Sequence, residues 1–239
     1  MTTPRPITAL PWRGGERAVL LGPHPDDFDA VGVTLRWLHD RGHVLGVLVV
    51  SASASGVLDA YLDTADPLAK AAAREAEQLA ATRFFGLPDA AVEFLRVPED
   101  EDGALVDSPA TEALLAARLA TWRPDLVLLP HGADTNAGHQ RTFAMFARLA
   151  PRLSPVPTAW LIRDPKTVDF RTDLYCPFDE EAATWKRRLL LHHRSQEHRN
   201  RLWRGHGFDD RILAVNRALA QELGCAQPYA EAFEVWRAG

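Results

Sequence analysis

Two stretches of this chain place metal-binding side chains next to groups that can move a proton. One is His24-Pro25-Asp26-Asp27; the other runs from His131 to His139 and ends Asp134-Thr135-Asn136-Ala137-Gly138-His139. A catalytic zinc takes three nitrogen or oxygen ligands and leaves a fourth position open to water. His24 and Asp27, with two residues between them, can bend onto one ion from a turn, and His139 at a helix start can supply the third ligand. Two imidazoles with one carboxylate are a recognised catalytic zinc set, and other divalent transition metals accept the same donors. Asp26 is then left beside a ligand, within reach of water at the metal, where a general base stands. The competing reading is structural, because an Asp-Asp pair after a strand often caps the next helix. For the first stretch alone the two readings stand level; the second, His-bearing loop tips the balance toward a metal.

The elements that must position these groups follow from the apolar pattern. Ala18–Gly22 and Val44–Ser51 read as strands buried on both faces, Val92–Val97 as a third strand and Asp125–Pro130 as a fourth. Between them lie helices: Ala30–Arg41 with Val31, Leu35 and Leu38 on one face and Gly42 as its stop, Pro67–Phe85 ended by Gly86, and Thr111–Trp122. Strands alternating with helices imply an α/β fold, a mainly parallel sheet covered on both sides. Further on, Ala159–Ile162 fits another strand, Glu180–Arg194 and Asp210–Leu223 fit helices, and Tyr229–Trp236 fits an edge strand. No linker or repeat interrupts residues 1–239, so a single domain is expected. In open parallel sheets ligands collect beyond the carboxyl ends of the strands. Both chemical stretches follow strand ends, and they converge if their strands lie side by side.

Composition narrows the class. With 239 residues, 46% hydrophobic and 25% charged, the chain is an ordinary globular protein. A net charge of −5 argues against binding to nucleic acid. Cys176 and Cys225 are too far apart to form a ligand pair, and with no disulfide framework a reducing, cytoplasmic setting is expected. No apolar run is long enough to span a membrane. The tryptophans read as core or interface residues, which is compatible with a homo-oligomer.

The two stretches resemble the motifs of the LmbE-like, or PIG-L-type, N-deacetylase family. The opening match is Pro23-His24-Pro25-Asp26-Asp27 with Gly32 following, and the later one is Pro130-His131-Gly132-Ala133-Asp134-Thr135-Asn136-Ala137-Gly138-His139. Arg74-Glu75-Ala76-Glu77 and the segment Lys186 to His193-Arg194-Ser195-Gln196 are similar to two further family segments. The resemblance covers roughly residues 17 to 200 and implies a Rossmann-like three-layer sandwich. It also implies one zinc on His24, Asp27 and His139, Asp26 as general base, and removal of acetyl from N-acetylglucosamine-type conjugates. The chain departs from the pattern at Phe28, where Glu is common, and at Asn136-Ala137-Gly138-His139, where His-Pro-Asp-His is common. The second departure puts Asn136 where a histidine would polarise the substrate or protonate the leaving group.

Secondary roles remain open at this level. Asn136 or His131 can face the developing oxyanion. Asp134 can orient His139 or cap the following helix. Arg74 and Glu77 can face the crevice and bind sugar hydroxyls or form a solvated helix pair. His192, His193 and His198 stand among Arg187, Arg188, Arg194 and Arg199, in a surface or interface helix or, as the alternative, in an anionic-substrate clamp. Pocket shape depends on the loops after residue 51, around residue 100 and at Asp164 to Thr167. The rival classes are a zinc amidase for another acylated amine and a non-catalytic sugar or nucleotide binder. The second lacks a Gly-rich phosphate fingerprint, since acidic residues follow the first strand.

Overall fold

The structure, a computed structural model, describes residues 3–238. In chain order it begins with β1 (Arg5–Pro6), β2 (Arg17–Gly22), α1 (Asp27–Ala30), α2 (Gly32–His39) and β3 (Val44–Val49). Then come α3 (Asp59–Leu62), α4 (Pro67–Phe85), β4 (Val92–Phe94), α5 (Pro109–Trp122), β5 (Leu126–Pro130) and α6 (Ala137–Leu149). β6 (Thr158–Ile162), β7 (Leu174–Phe178), α7 (Glu180–Leu190), α8 (Arg194–Arg204), α9 (Phe208–Glu222) and β8 (Tyr229–Trp236) complete it. All eight strands join one sheet in the order β1-β7-β8-β6-β5-β2-β3-β4. Only β8 runs against its neighbours.

Continuous apolar strands need cover on both faces, and they have it. Val19, Leu21, Val127 and Leu129 pack against Leu115 and Leu119 of α5 and Met145 and Phe146 of α6. The alternate residues, Leu20 and Leu128 among them, belong to the opposite core with Leu35 and Leu38 of α2 and Leu189 of α7. The result is a three-layer α/β sandwich with a mainly parallel sheet, as the pattern implies. β2 pairs with β3 on one side and β5 on the other, both parallel. The chain winds outward from β2 and returns beside it, so the gap between β2 and β5 is a topological switch point, where such sheets bind ligands.

Several boundaries differ from the sequence expectation for physical reasons. Val31, with φ −119° and ψ 26°, breaks the expected helix from Ala30 into α1 and α2. Arg96 takes a left-handed φ of 53° and ends β4 early, although Leu95 and Val97 still donate to Val49 and Val50. The expected helix from Glu180 to Arg194 stops at Leu190, and a turn at His192 and His193 leads into α8. Tyr229–Trp236 is not an edge strand; it lies between β6 and β7. Its Glu231 suggests a solvent-facing side but is 1% exposed. β7 escapes the pattern because Pro177 interrupts its apolar run.

Glu231 is tolerated in the interior because Lys186 meets it there. The Lys186 ammonium, fully buried, donates to Glu231 Oε1 at 2.7 Å, Asn216 Oδ1 at 2.8 Å and the Ala30 carbonyl at 2.6 Å. The other donors to Glu231 are the backbone N–H groups of Val33 and Thr34, at 3.1 and 2.7 Å. This network fastens α7, α9 and β8 to the α1–α2 corner that follows Asp26 and Asp27. Removing one member of a buried ion pair leaves an uncompensated charge, at a cost of about 3–5 kcal/mol. Lys186→Met should therefore lower unfolding free energy by about that amount in urea titrations, and adding Glu231→Gln should recover most of it. A single-variant loss under about 1 kcal/mol would refute the assignment.

Candidate metal centre and active site

The loops leaving β2 and β5 meet. His24 Nδ1 lies 3.4 Å from Asp27 Oδ2, and His139 Nε2 lies 3.5 Å from Asp27 Oδ1. The imidazole centroids of His24 and His139 are 5.1 Å apart. One ligand atom from each of the three residues falls within 4.8 Å of the others. A donor set of two imidazoles and a carboxylate at this spacing fits a divalent transition metal.

Local backbone chemistry sets each of these three side chains in place. Asp27 Oδ2 accepts the His24 N–H at 2.8 Å, closing the turn after β2. Asn136 caps α6, its Oδ1 accepting from Gly138 at 2.8 Å and His139 at 3.4 Å, so His139 rises from the first helical turn. Gly138 lets His24 approach closely: a Cβ there would stand 2.9 Å from His24 Nε2 and 3.1 Å from Asn136 Oδ1, so one of them would have to shift. Asp134 takes the orienting role, with Oδ2 3.0 Å from His139 Nδ1, while its Oδ1 accepts the Asn136 N–H at 2.6 Å. A carboxylate on the outer nitrogen of a ligand histidine fixes its ring and raises its basicity.

The electrostatics follow from these contacts. Burial tends to raise the Asp27 carboxyl, but His24 and His139 outweigh it and hold it well below the usual carboxylate range. Burial tends to lower the His139 imidazole, yet hydrogen bonds to Asp134 and Asp27 push it up to about 10. An anionic centre that draws a proton onto its histidine also attracts a cation, which competes with that proton for the same nitrogen.

Asp26 stands beside the ligands. Burial acts to raise its carboxyl, and Arg74 prevails, so the group lies below its ordinary value. Arg74, on α4 and 2% exposed, donates to Asp26 Oδ1 at 2.8 Å. Arg74 and Glu77 therefore do not form the solvated pair that their spacing suggested. Glu77 instead accepts from the N–H and Oγ of Ser195, both at 2.7 Å.

His24, Asp26, Asp27, Arg74 and His139 line a cavity of about 340 Å³. Its walls include all three loops expected to shape it: Ser53 and Ser55, Asp102 and Gly103, and Asp164 and Lys166. Asn136 is on the wall, but His131 is not. His131 accepts the Ala133 N–H at 2.9 Å and packs near Phe143 and Phe170, which removes it from the oxyanion role. Phe28, where the family commonly has Glu, is turned into the core against Phe85. His193 is not on a surface but fully buried, hydrogen-bonded to Asp29. The basic segment favoured as a surface or interface helix over a substrate clamp is part of a wall made by α8 and α9; residues 196, 199, 200 and 203 recur there at helical spacing on one face.

The family model of PIG-L, GlcNAc-PI de-N-acetylase, matches residues 19–150, and the chain belongs to this family. Among solved structures it is similar to N,N'-diacetylchitobiose deacetylase from Pyrococcus horikoshii, with 18% identity and TM-score 0.75 over 93% of this chain and 84% of that one. It is also similar to the 4-carboxy-2-hydroxymuconate hydratase of Pseudomonas putida, with 19% identity and TM-score 0.71 over 92% and 95%. A deacetylase of teicoplanin biosynthesis matches with 17% identity and TM-score 0.69 over 92% and 98%. Comparison with curated protein sequences gives no match. At these identities the likeness establishes the fold.

The contact between residues 24 and 138 gives a direct test of the centre. Gly138→Ala should push the His24 ring aside and weaken zinc binding by roughly 10–100-fold in a competition titration, in line with losses from disturbed ligand orientation. Circular dichroism should be unchanged. Wild-type zinc affinity in that variant would rule out His24 as a ligand.

Proposed function

We propose that this protein is a metal-dependent N-deacetylase that removes acetyl from an N-acetylated amino sugar. The observation that carries this reading is the convergence of His24, Asp27 and His139, with Asp26 held beside them. Family membership and the presence of deacetylases among the structural neighbours support it. The hydratase neighbour means that the fold alone does not choose the reaction.

His24, Asp27 and His139 would hold the ion, preferably zinc. A divalent cation there supplies Lewis acidity, which polarises an acyl oxygen and brings the pKa of water close to 7. Asp26, kept ionised by Arg74, takes a proton from the attacking water as its oxygen bonds to the amide carbon. When the C–N bond breaks, the same carboxyl returns that proton to the leaving nitrogen, so amide and water become acetate and amine. Asp134 would hold the His139 ring through Nδ1, leaving Nε2, the nitrogen nearer Asp27, available to bind the ion.

Metal analysis of the purified protein should find about one zinc per chain, and chelation should abolish acetate release from a panel of N-acetylated amino sugars until zinc is restored. Asp26→Asn should retain its metal and lose about 10²–10⁴-fold in turnover. Undiminished turnover would exclude Asp26 as the base. Acetate from none of the sugars, with release of another acyl group from a different amine, would move the reading to a zinc amidase.

A further inference from the structure

Beyond the ligands, the cavity carries positive charge that the catalytic step does not use. One face of α8 supplies Gln196, Arg199, Asn200 and Trp203, and Arg204 closes the helix; α9 adds Arg211, and Lys166 projects from the loop after β6. Other arginines on or against these helices find acids: Arg201 pairs with Glu197, Arg187 with Asp209 and Asp210, and Arg217 reaches Glu180. Among the described residues, Arg199, Arg204 and Arg211 have no carboxylate within ion-pair distance. The nearest protein acceptor for Arg199 is the Gly56 carbonyl at 3.4 Å, and its guanidinium also lies over the Trp203 ring, 4.5 Å from the centroid.

The three guanidiniums are close enough to act on one another. Burial, followed by the charge of Arg74 and more weakly of Arg204 and Arg211, pulls Arg199 below its ordinary value against the opposing charge of Asp26. Arg211 is lowered by burial and by Arg204, against pulls from Asp164, Asp26 and Asp134. Asp102 and Asp164 share the wall, and Asp164 is engaged by the Lys166 N–H at 2.9 Å. Partly desolvated like charges with no carboxylate in ion-pair contact cost stability unless a ligand supplies a direct partner. In a chain of net charge −5, such a group of cations on one wall of the cavity is a local concentration of positive charge.

We infer that the substrate carries an anionic group, a phosphate ester or a carboxylate, near its acetamido group, and that Arg199, Arg204, Arg211 and Lys166 receive it. The planar fork of arginine suits both oxyanions. Asn200 Oδ1, buried and without a donor among the described residues, is placed to accept a sugar hydroxyl, and the exposed Trp203 ring offers a face for a pyranose. The inference rests on the deacetylase reading for the acetamido half of the substrate, and on the α8–α9 wall for the anionic half.

The test compares zinc-loaded wild type with the Arg199→Gln/Arg211→Gln double variant and with a remote control, Arg171→Gln. Acetate release is measured from N-acetylglucosamine, its 1- and 6-phosphates and its 3-O-lactyl ether, and inorganic phosphate binding is measured by calorimetry. One of the anionic sugars should exceed the neutral sugar in kcat/KM by about 100-fold, from roughly tenfold per arginine contact. That ratio should collapse in the double variant, recover in part with Arg→Lys at both positions, stay intact in the control and shrink at high salt. Whichever of the phosphates and the lactyl ether leads identifies the oxyanion. Equal turnover of neutral and anionic sugars by both proteins would overturn the inference and leave the deacetylase standing. No acetate from any sugar, with phosphate affinity lost in the double variant, would sink the deacetylase reading and uphold the anion site.

Discussion

A buried carboxylate set between two imidazoles is the arrangement around which the rest of this molecule is organised. Asp27 turns one oxygen toward His24 and the other toward His139, and Asp134 backs His139 on its far nitrogen. Anionic and imidazole groups alternate there with little solvent to screen them, so the cluster is stable only when it holds protons or a cation. Such a cluster needs two loops distant in sequence to leave the same edge of the sheet. Parallel pairing of β2 with β5 provides this, since strands running in one direction deliver their carboxyl ends to one side.

Holding the cluster rigid requires support from behind, and the support is itself polar. Arg74 reaches Asp26 from α4, and Glu77 on the same helix fastens the first turn of α8 through Ser195. His193, at the start of α8, closes on Asp29 in the turn that carries the ligands. Lys186 and Glu231 then lock the next corner to β8. The helices that wall the cavity are thus bonded to the loop that carries the chemistry. A displacement of α8 by a fraction of an ångström would reach Asp26 through two hydrogen-bonded links, which favours a preorganised site over one assembled on binding.

The meeting of His24, Asp27 and His139 and the sheet were legible in the sequence because their signals are local. His24, Asp27 and His139 follow apolar runs, and buried parallel strands read as unbroken hydrophobic stretches. The neighbours of Asp26 were not legible. Arg74 lies on an alanine-rich helix whose polar residues suggest solvent, yet it is buried because a carboxylate from another loop meets it. Glu231 is a second case: a charge on a strand ordinarily faces solvent, and the partner Lys186 allows it an interior place. His131 sits in the right motif but points away, since its Nδ1 is engaged by the backbone two residues on. Buried polar pairing joins residues far apart in the chain, and no periodicity reports it.

The division of labour along the chain bears on how one fold serves several reactions. Residues 19–150, the span matched by the family model, contain His24, Asp27 and His139, the Asp26 carboxylate beside them, and Arg74 and Asp134. The opposing wall, from Asp164 through Arg211, lies wholly outside that span. Chemistry near the switch point is constrained by ligand geometry to within fractions of an ångström, so it tolerates few alternatives. A wall of helix faces has no such constraint; its side chains can change sign or size while the backbone stays put. A fold that hosts both deacetylases and a hydratase among its structural neighbours is consistent with this separation. In this chain that wall is built by the later helices, whose charges read as solvated surface until the cavity they face is seen.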